Sequence, residues 1–225
     1  MVVGNGLIAK AFKKYEHEDV LIFCSGVSNS GETRKSEYAR ETELLKEHLA
    51  TSSRFVYFST ISVIDGSPST AYVEHKSNME RLISSQHNNF LIFRLPLVVG
   101  HNANKHTFFN NLSEKIHKGE DLSVRTVSRY LIDIDDVQLT LSKIISDLSI
   151  KNITINVCLE NFTPVIDIIN GMEKTIGVEC EKKIINHKPN HPVDNSYFLK
   201  FFDGNTHGYN ERLFSKYCKK KSDDN

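Results

Sequence analysis

Three groups of residues in this chain have the types and spacing to do chemistry. The first is Gly4-Asn5-Gly6-Leu7-Ile8-Ala9, a G-x-G-x-x-G/A pattern. In such a pattern the first glycine permits a tight turn and the second lets backbone approach a pyrophosphate. The small last residue lets helix and strand pack closely, and free N–H groups at the helix start face the anion. A glycine turn kept for packing alone is the alternative. An apolar strand precedes the pattern, a helix follows it and a second buried strand comes next, which is the context that nucleotide binding requires. The second group is Tyr72-Val73-Glu74-His75-Lys76. This spacing puts Tyr72 and Lys76 on one helix face. A nearby ammonium favours the phenolate, so tyrosine can give or take a proton nearer neutrality than its free value of ~10. Tyr217 and Lys221 repeat the spacing in the tail, where a solvated basic end is the plain reading. The third group is Thr60 and Ser62, at the C-terminal end of a strand, where ligands bind in open parallel sheets. There Thr60 can hydrogen-bond a substrate carbonyl or hydroxyl beside Tyr72; strand-end capping is the competing role.

These residues need elements to position them. Met1-Val2-Val3 reads as a short strand and Leu7 to Tyr15 as a helix with Leu7, Ile8, Ala11 and Phe12 inward. Asp19 to Cys24 is a continuous apolar run, as in a buried parallel strand, ended by Ser25-Gly26. A charged amphipathic helix from Lys35 to Ala50 carries Tyr38, Leu44, Leu45 and Leu49 as apolar points. Phe55 to Ser59 is a third strand, Thr60 to Ser69 a polar loop, Ala71 to Ser84 a helix, and Phe90 to Leu95 a fourth strand stopped by Pro96. The alternation predicts a parallel sheet with helices on both faces. Further on, helices are expected over Lys105–Lys118 and over Val137–Leu148, the latter with Asp135 as N-cap. Strands are expected over Ser123–Ile134 and Ile153–Leu159, and Thr163-Pro164 opens a helix to about Lys174.

Here the motifs reach a family. Phe55-Val56-Tyr57-Phe58-Ser59-Thr60-Ile61-Ser62-Val63, then Tyr72 and Lys76, then Phe93 to Gly100, then Tyr130-Leu131-Ile132-Asp133-Ile134-Asp135-Asp136-Val137 come in that order. This series resembles the extended short-chain dehydrogenases/reductases, and within them the NAD-dependent epimerase/dehydratase group acting on nucleotide sugars. The resemblance implies an α/β, Rossmann-like parallel sheet with helices on both faces. Residues 1–157 form the cofactor-binding core, 101–136 contribute to the substrate site, and 158–225 make a small substrate-side lobe and tail. It implies NAD or NADP as cofactor, a nucleotide sugar as substrate, and reduction or epimerisation in surface-polysaccharide biosynthesis. Thr60 matches the residue that polarises the reacting C–O group, Tyr72 the acid/base, and Lys76 the lysine on the nicotinamide ribose. Gly4, Asn5, Gly6, Leu7 and Ile8 match the cofactor turn, Ser25 and Gly26 the loop beside the cofactor, and Pro96 and Val98 the segment near the nicotinamide. Ser62 and Arg129 fall on the substrate side, Arg129 facing a substrate phosphate or, alternatively, solvent. A homodimer through the helices of Lys35–Ala50 and Tyr72 is the family habit.

Two departures stand out. The first helix leads straight into Asp19–Phe23, so the family's second and third strands are expected to be missing. The acidic residue that should grip the adenosine ribose goes with them; Glu18 and Asp19 precede the wrong strand and are not assigned. The span from Thr60 to Tyr72 is short, so the loop over the substrate is cut back. With its cofactor grip reduced, the chain has a second reading as a non-catalytic partner subunit or nucleotide-sugar binder.

Composition sets the outer bounds. Lys+Arg and Asp+Glu both number 28, a balance that argues against a dedicated nucleic-acid binder. Cys24, Cys158, Cys180 and Cys218 are scattered and read as free thiols in a reducing cytoplasm. No apolar run approaches the ~18 residues of a membrane span. Pro189 interrupts any helical pairing of His187 with His191, so no metal site is expected. His101, Asn102 and His106 follow Gly100 as a solvated loop or a substrate mouth.

Overall fold

The computed structural model describes residues 1–13, 19–50, 53–101 and 107–218. Asn102 and His106, the expected helix start at Lys105, and Lys221 lie outside them. The chain begins β1 (Val2–Val3), α1 (Leu7–Ala11), β2 (Val20–Phe23), α2 (Lys35–Leu49) and β3 (Arg54–Thr60). A short 3₁₀ turn over Ile61–Val63 follows, then α3 (Ala71–Gln86), β4 (Phe90–Leu95) and β5 (Leu97–Val99). The remainder is α4 (Phe108–His117), β6 (Leu122–Arg125), β7 (Ser128–Arg129), β8 (Leu131–Asp133), α5 (Ile134–Ser146), β9 (Ile153–Asn156), β10 (Thr163–Pro164), α6 (Val165–Ile176), β11 (Lys182–Ile185), α7 (Ser196–Leu199) and α8 (Tyr209–Tyr217).

The central sheet has order β1-β2-β3-β4-β9, with every neighbouring pair parallel. Among the described residues β1 is therefore an edge, paired with β2 alone (Val2 to Ile22, Val3 to Phe23). That is the arrangement expected when two strands are lost from the outer side of β1. The inner strands β2, β3 and β4 are buried on both faces, and the side chains sort by the two-residue period. Leu21, Phe23, Phe55, Tyr57, Phe90 and Ile92 pack with Leu45 and Leu49 of α2 and Met79 and Ile83 of α3. Val20, Ile22, Val56, Leu91 and Phe93 point to the opposite face, where they join Phe12, α5 and the C-terminal helices. This second cluster runs continuously through Ile168, Met172, Phe198 and Phe214.

Three expected elements take a different form. The run from Ser123 to Ile134 is not one strand but β6, β7 and β8, each pairing with a different partner: β11, β10 and β5. Pairing to separate parts of the chain breaks it. The N-cap of α5 is Asp133, not Asp135: its carboxylate accepts from Asp135 N–H and its own backbone is still extended. α1 is short, closing at Phe12 rather than Tyr15, with residues 14–18 outside the described set. No helix among the described residues is long and apolar enough to cross a membrane.

Candidate active site

Gly4 and Gly6 do different work. Gly4 has φ +125°, and a Cβ there would sit 2.8 Å from the carbonyl carbon and oxygen of Cys24. The turn out of β1 passes against the end of β2, and only glycine fits. Gly6 is the N-cap of α1 with ordinary φ of −73°, and a Cβ there would meet nothing within 4 Å. Space therefore opens above Gly6, as a turn that admits a ligand would need. Gly4, Asn5 and Gly6 are exposed, Leu7 and Ile8 half-buried, and Ala9 buried.

Thr60 ends β3 and accepts from Ser62 N–H at 3.3 Å. Tyr72 is the second residue of α3, and the Thr60 side chain favours its ionised form. α3 starts one residue earlier because Thr70 caps it, its hydroxyl accepting from Val73 N–H. Lys76, one turn on, lies with its ammonium 6.0 Å from the Tyr72 ring centroid. The structure thus brings Thr60, Tyr72 and Lys76 together at the C-terminal end of the central strands.

Lys76 is deeply buried, and its ammonium donates to Glu41 Oε1 at 3.0 Å, Tyr57 Oη at 3.1 Å and Phe58 O at 3.5 Å. Glu41, on α2, is fully buried. It also accepts from Tyr57 O–H at 2.6 Å and from Val27 N–H at 2.6 Å. His75 Nε2 is 2.9 Å from Glu41 Oε2, without the alignment of a full hydrogen bond. Burial alone would raise the Glu41 carboxyl, but His75, Lys76, Tyr57 and the Val27 N–H outweigh it and hold it down at about 2. Burial pulls Lys76 below the ordinary lysine value, and Glu41 pushes back. Burial, with Glu41 adding to it, raises Tyr72 above an ordinary tyrosine, while Thr60 works the other way.

Glu41 was not among the residues singled out from the sequence. Its signal was present: Tyr38, Glu41, Leu45 and Leu49 share one helical stripe, so an acidic residue lies on the buried face of α2. Gly26 completes the corner. A Cβ there would be 2.6 Å from Lys76 Nζ and 2.9 Å from Glu41 Oε1. Ser25 Oγ accepts from Arg40, which turns back from α2.

The other singled-out residues are more dispersed. Pro96 and Val98 are half-buried where β4 passes into β5, which pairs with β8. Ser62 faces a cavity of about 580 Å³ shared with Val73, Ser77, Arg81 and His191; neither Tyr72 nor Lys76 lines it. Arg129, on β7, is half-buried, donates to Ser128 O at 3.1 Å and feels the carboxylate of Asp65, so it is not a free surface arginine. His187 and His191 are held separately: Thr126 Oγ1 accepts from His187 N–H, and Asp65 O accepts from His191 N–H. Among the described residues no cluster of three or more His, Cys, Asp or Glu could hold a metal.

No family model and no curated protein matches the sequence. Solved structures do match. UDP-glucuronic acid 4-epimerase from Bacillus cereus in complex with NAD is similar with a TM-score of 0.73 and 19% identity, over 96% of this chain and 77% of that one. The likeness shows the fold, an α/β, Rossmann-like parallel sheet flanked by helices. RMD from Pseudomonas aeruginosa complexed with NADPH has a TM-score of 0.71 at 16% identity, covering 96% of this chain and 97% of that one. dTDP-glucose 4,6-dehydratase from Bacillus anthracis in complex with NAD gives 0.70 at 11%, covering 96% and 78%. Each likeness spans nearly the whole of this chain, whose sheet has β1 at its edge.

Proposed function

We propose that this protein is an NAD(P)-dependent reductase or epimerase acting on a nucleotide-linked sugar in the cytoplasm, in surface-polysaccharide biosynthesis. The observation that carries the proposal is the placement of Tyr72, at the start of α3, with the Lys76 ammonium 6.0 Å from its ring centroid and Thr60 at the end of β3. NADP or NAD, when bound, supplies the hydride carrier. The turn at Gly4 and Gly6 fits such a cofactor, because the space above Gly6 is open and the strand beneath it ends there. Asn5, Leu7 and Ile8 would flank it, with Ser25, Gly26, Pro96 and Val98 toward the nicotinamide. Tyr72 moves the proton of the sugar hydroxyl, and Thr60 orients that oxygen. Lys76 would reach a ribose by giving up its 3.5 Å contact to Phe58 O. Ser62 and Arg129 are proposed on the substrate side, Arg129 toward a phosphate.

Titration with NADH and NADPH, followed by calorimetry, tests the cofactor reading. Saturable binding below millimolar concentration supports it; none at millimolar sinks it and favours a non-catalytic partner subunit. Turnover of a panel of UDP- and dTDP-linked sugars, with Tyr72→Phe as control, tests the chemistry, and an unchanged rate in that variant would refute the role of Tyr72. A homodimer through α2 and α3 is proposed as well. Their exposed positions include Glu43, Lys46, Glu47, Glu74, Asn78 and Arg81, so such a pair would rest on polar contacts and weaken with salt. Light scattering at micromolar protein in low and high salt measures it, and a monomer in both conditions refutes it.

A further inference from the structure

The buried pair Glu41–Lys76 has a consequence for which way the proton moves. An ammonium has three N–H donors. All three of Lys76 have partners inside the protein: Glu41, Tyr57 and Phe58 O. The nearest is a carboxylate buried with it. An isolated ammonium behind Tyr72 would draw the phenol toward phenolate. Here the opposite charge lies 3.0 Å from the ammonium, so at the tyrosine the two largely cancel.

We propose that Glu41 acts as a positioning residue that fixes and neutralises Lys76, leaving Tyr72 a proton donor, so that the site is set to reduce a carbonyl rather than to begin by oxidising a hydroxyl. This rests on the function proposed above. The balance is simple: the carbonyl carbon gains a hydride, for which a reduced nicotinamide is the reductant. The oxygen gains the Tyr72 proton, and solvent restores it. An epimerase must first remove a hydroxyl proton, so the same arrangement favours a reductase.

The groups around Tyr72 agree with this assignment. α2 presents Tyr38 and Glu41, and β3 presents Tyr57 and Thr60. From α3 come His75, whose ring is tilted against Tyr38 at 4.8 Å and lies close to Glu41, and Lys76. Glu80, one turn further, is taken up by Arg94 and Ser59. The Lys76 ammonium lies 6.0 Å from the ring centroid, and it is paired. Burial and Glu41 both hold Tyr72 in its phenol form.

Ultraviolet titration of tyrosinate in the cofactor-free protein tests this, with Tyr72 isolated as wild type minus Tyr72→Phe. In the wild type, Tyr72 is expected to ionise only above the ordinary value of ~10. Glu41→Gln leaves the ammonium uncancelled and should lower that midpoint by ~1 pH unit or more, a tenfold change in proton affinity. Glu41→Gln with Lys76→Met removes both charges, keeps the packing, and should return the midpoint to within ~0.5 unit of wild type. The double variant against wild type remains decisive if the single variant does not fold. A wild-type midpoint below the ordinary ~10, an unmoved midpoint in Glu41→Gln, or a large shift in the double variant overturns the proposal. Because the titration uses no cofactor, its result is separate from a failure to bind NADH or NADPH, which would overturn the enzyme reading and with it the reductive direction.

Discussion

Replacing each of the two motif glycines by alanine separates packing from ligand binding. At Gly4 the φ of +125° is one that side-chain-bearing residues rarely adopt, and the new Cβ would press on Cys24 carbonyl atoms at 2.8 Å. Strained backbone of this kind costs ~1–3 kcal/mol. The obstacle is backbone at the end of β2, so no rotamer change relieves it, and overpacking adds ~1–3 kcal/mol. The sum is ~4 kcal/mol, a large share of the ~5–15 kcal/mol that holds a folded protein. At this chain length each kcal/mol moves Tm by ~2–4 °C, so Gly4→Ala should melt ~8–16 °C lower. Gly6 has ordinary φ, and an alanine methyl there would meet nothing within 4 Å, so Gly6→Ala should melt within ~2 °C of wild type. Its methyl would instead occupy the space over the turn and weaken NADH binding. Thermal unfolding by circular dichroism gives both numbers. A Gly4→Ala protein as stable as wild type would refute the steric account of β1 against β2. A Gly6→Ala protein as damaged as Gly4→Ala would show that the second glycine also serves packing.

Three further outcomes are expected. Glu41 falls from the ordinary 4.5 to about 2, which corresponds to ~3 kcal/mol at ~1.36 kcal/mol per unit. Because the folded value is depressed, that stability is present above pH 4.5 and is lost as pH falls toward 2. Urea unfolding at several acid pH values should show this slope, and Glu41→Gln should flatten it; an equal slope in both proteins refutes the assignment. Arg54, almost fully buried, donates to Ile145 O and Asp147 O at the end of α5, so Arg54→Met should cost ~2–4 kcal/mol and be read as a lower urea midpoint with unchanged slope. Tyr209 donates to Asp136 and accepts from Asp133 N–H, tying α8 to the start of α5. Tyr209→Phe should cost ~1–3 kcal/mol and increase amide exchange in α8, whereas unchanged exchange there would show that apolar packing alone holds the helix.

How much was legible beforehand depended on how local the signal was. Apolar runs located the strands at Val20–Phe23 and, broken by Arg94, at Phe90–Leu95, because a strand buried on both faces has little polar face to alternate with. The alternation of those runs with amphipathic stretches called for a parallel sheet. The order of β1, β2 and β3 follows chain order, and among the described residues the first helix is the one element between β1 and β2. The segment from Ser123 to Ile134 was not legible, since its three pieces pair with β11, β10 and β5, which are distant in sequence. Asp133 and Asp135 are both plausible caps by type, and the last extended residue decided between them.

By itself the sequence determined the sheet, the turn at Gly4 and Gly6, and the four-residue offset that sets Tyr72 and Lys76 on one face, because each depends on neighbours within a few residues. Only tertiary structure decided what surrounds those side chains. It packed α2 against α3 and so delivered a buried carboxylate, Glu41, from 35 residues away onto Lys76. It also put Ser62 into a cavity apart from Tyr72 and gave Arg129 the company of Asp65. The physical reason is that charge and desolvation act through space. A lysine's spacing from a tyrosine fixes where the ammonium lies, and the carboxylate packed against it fixes what the tyrosine feels.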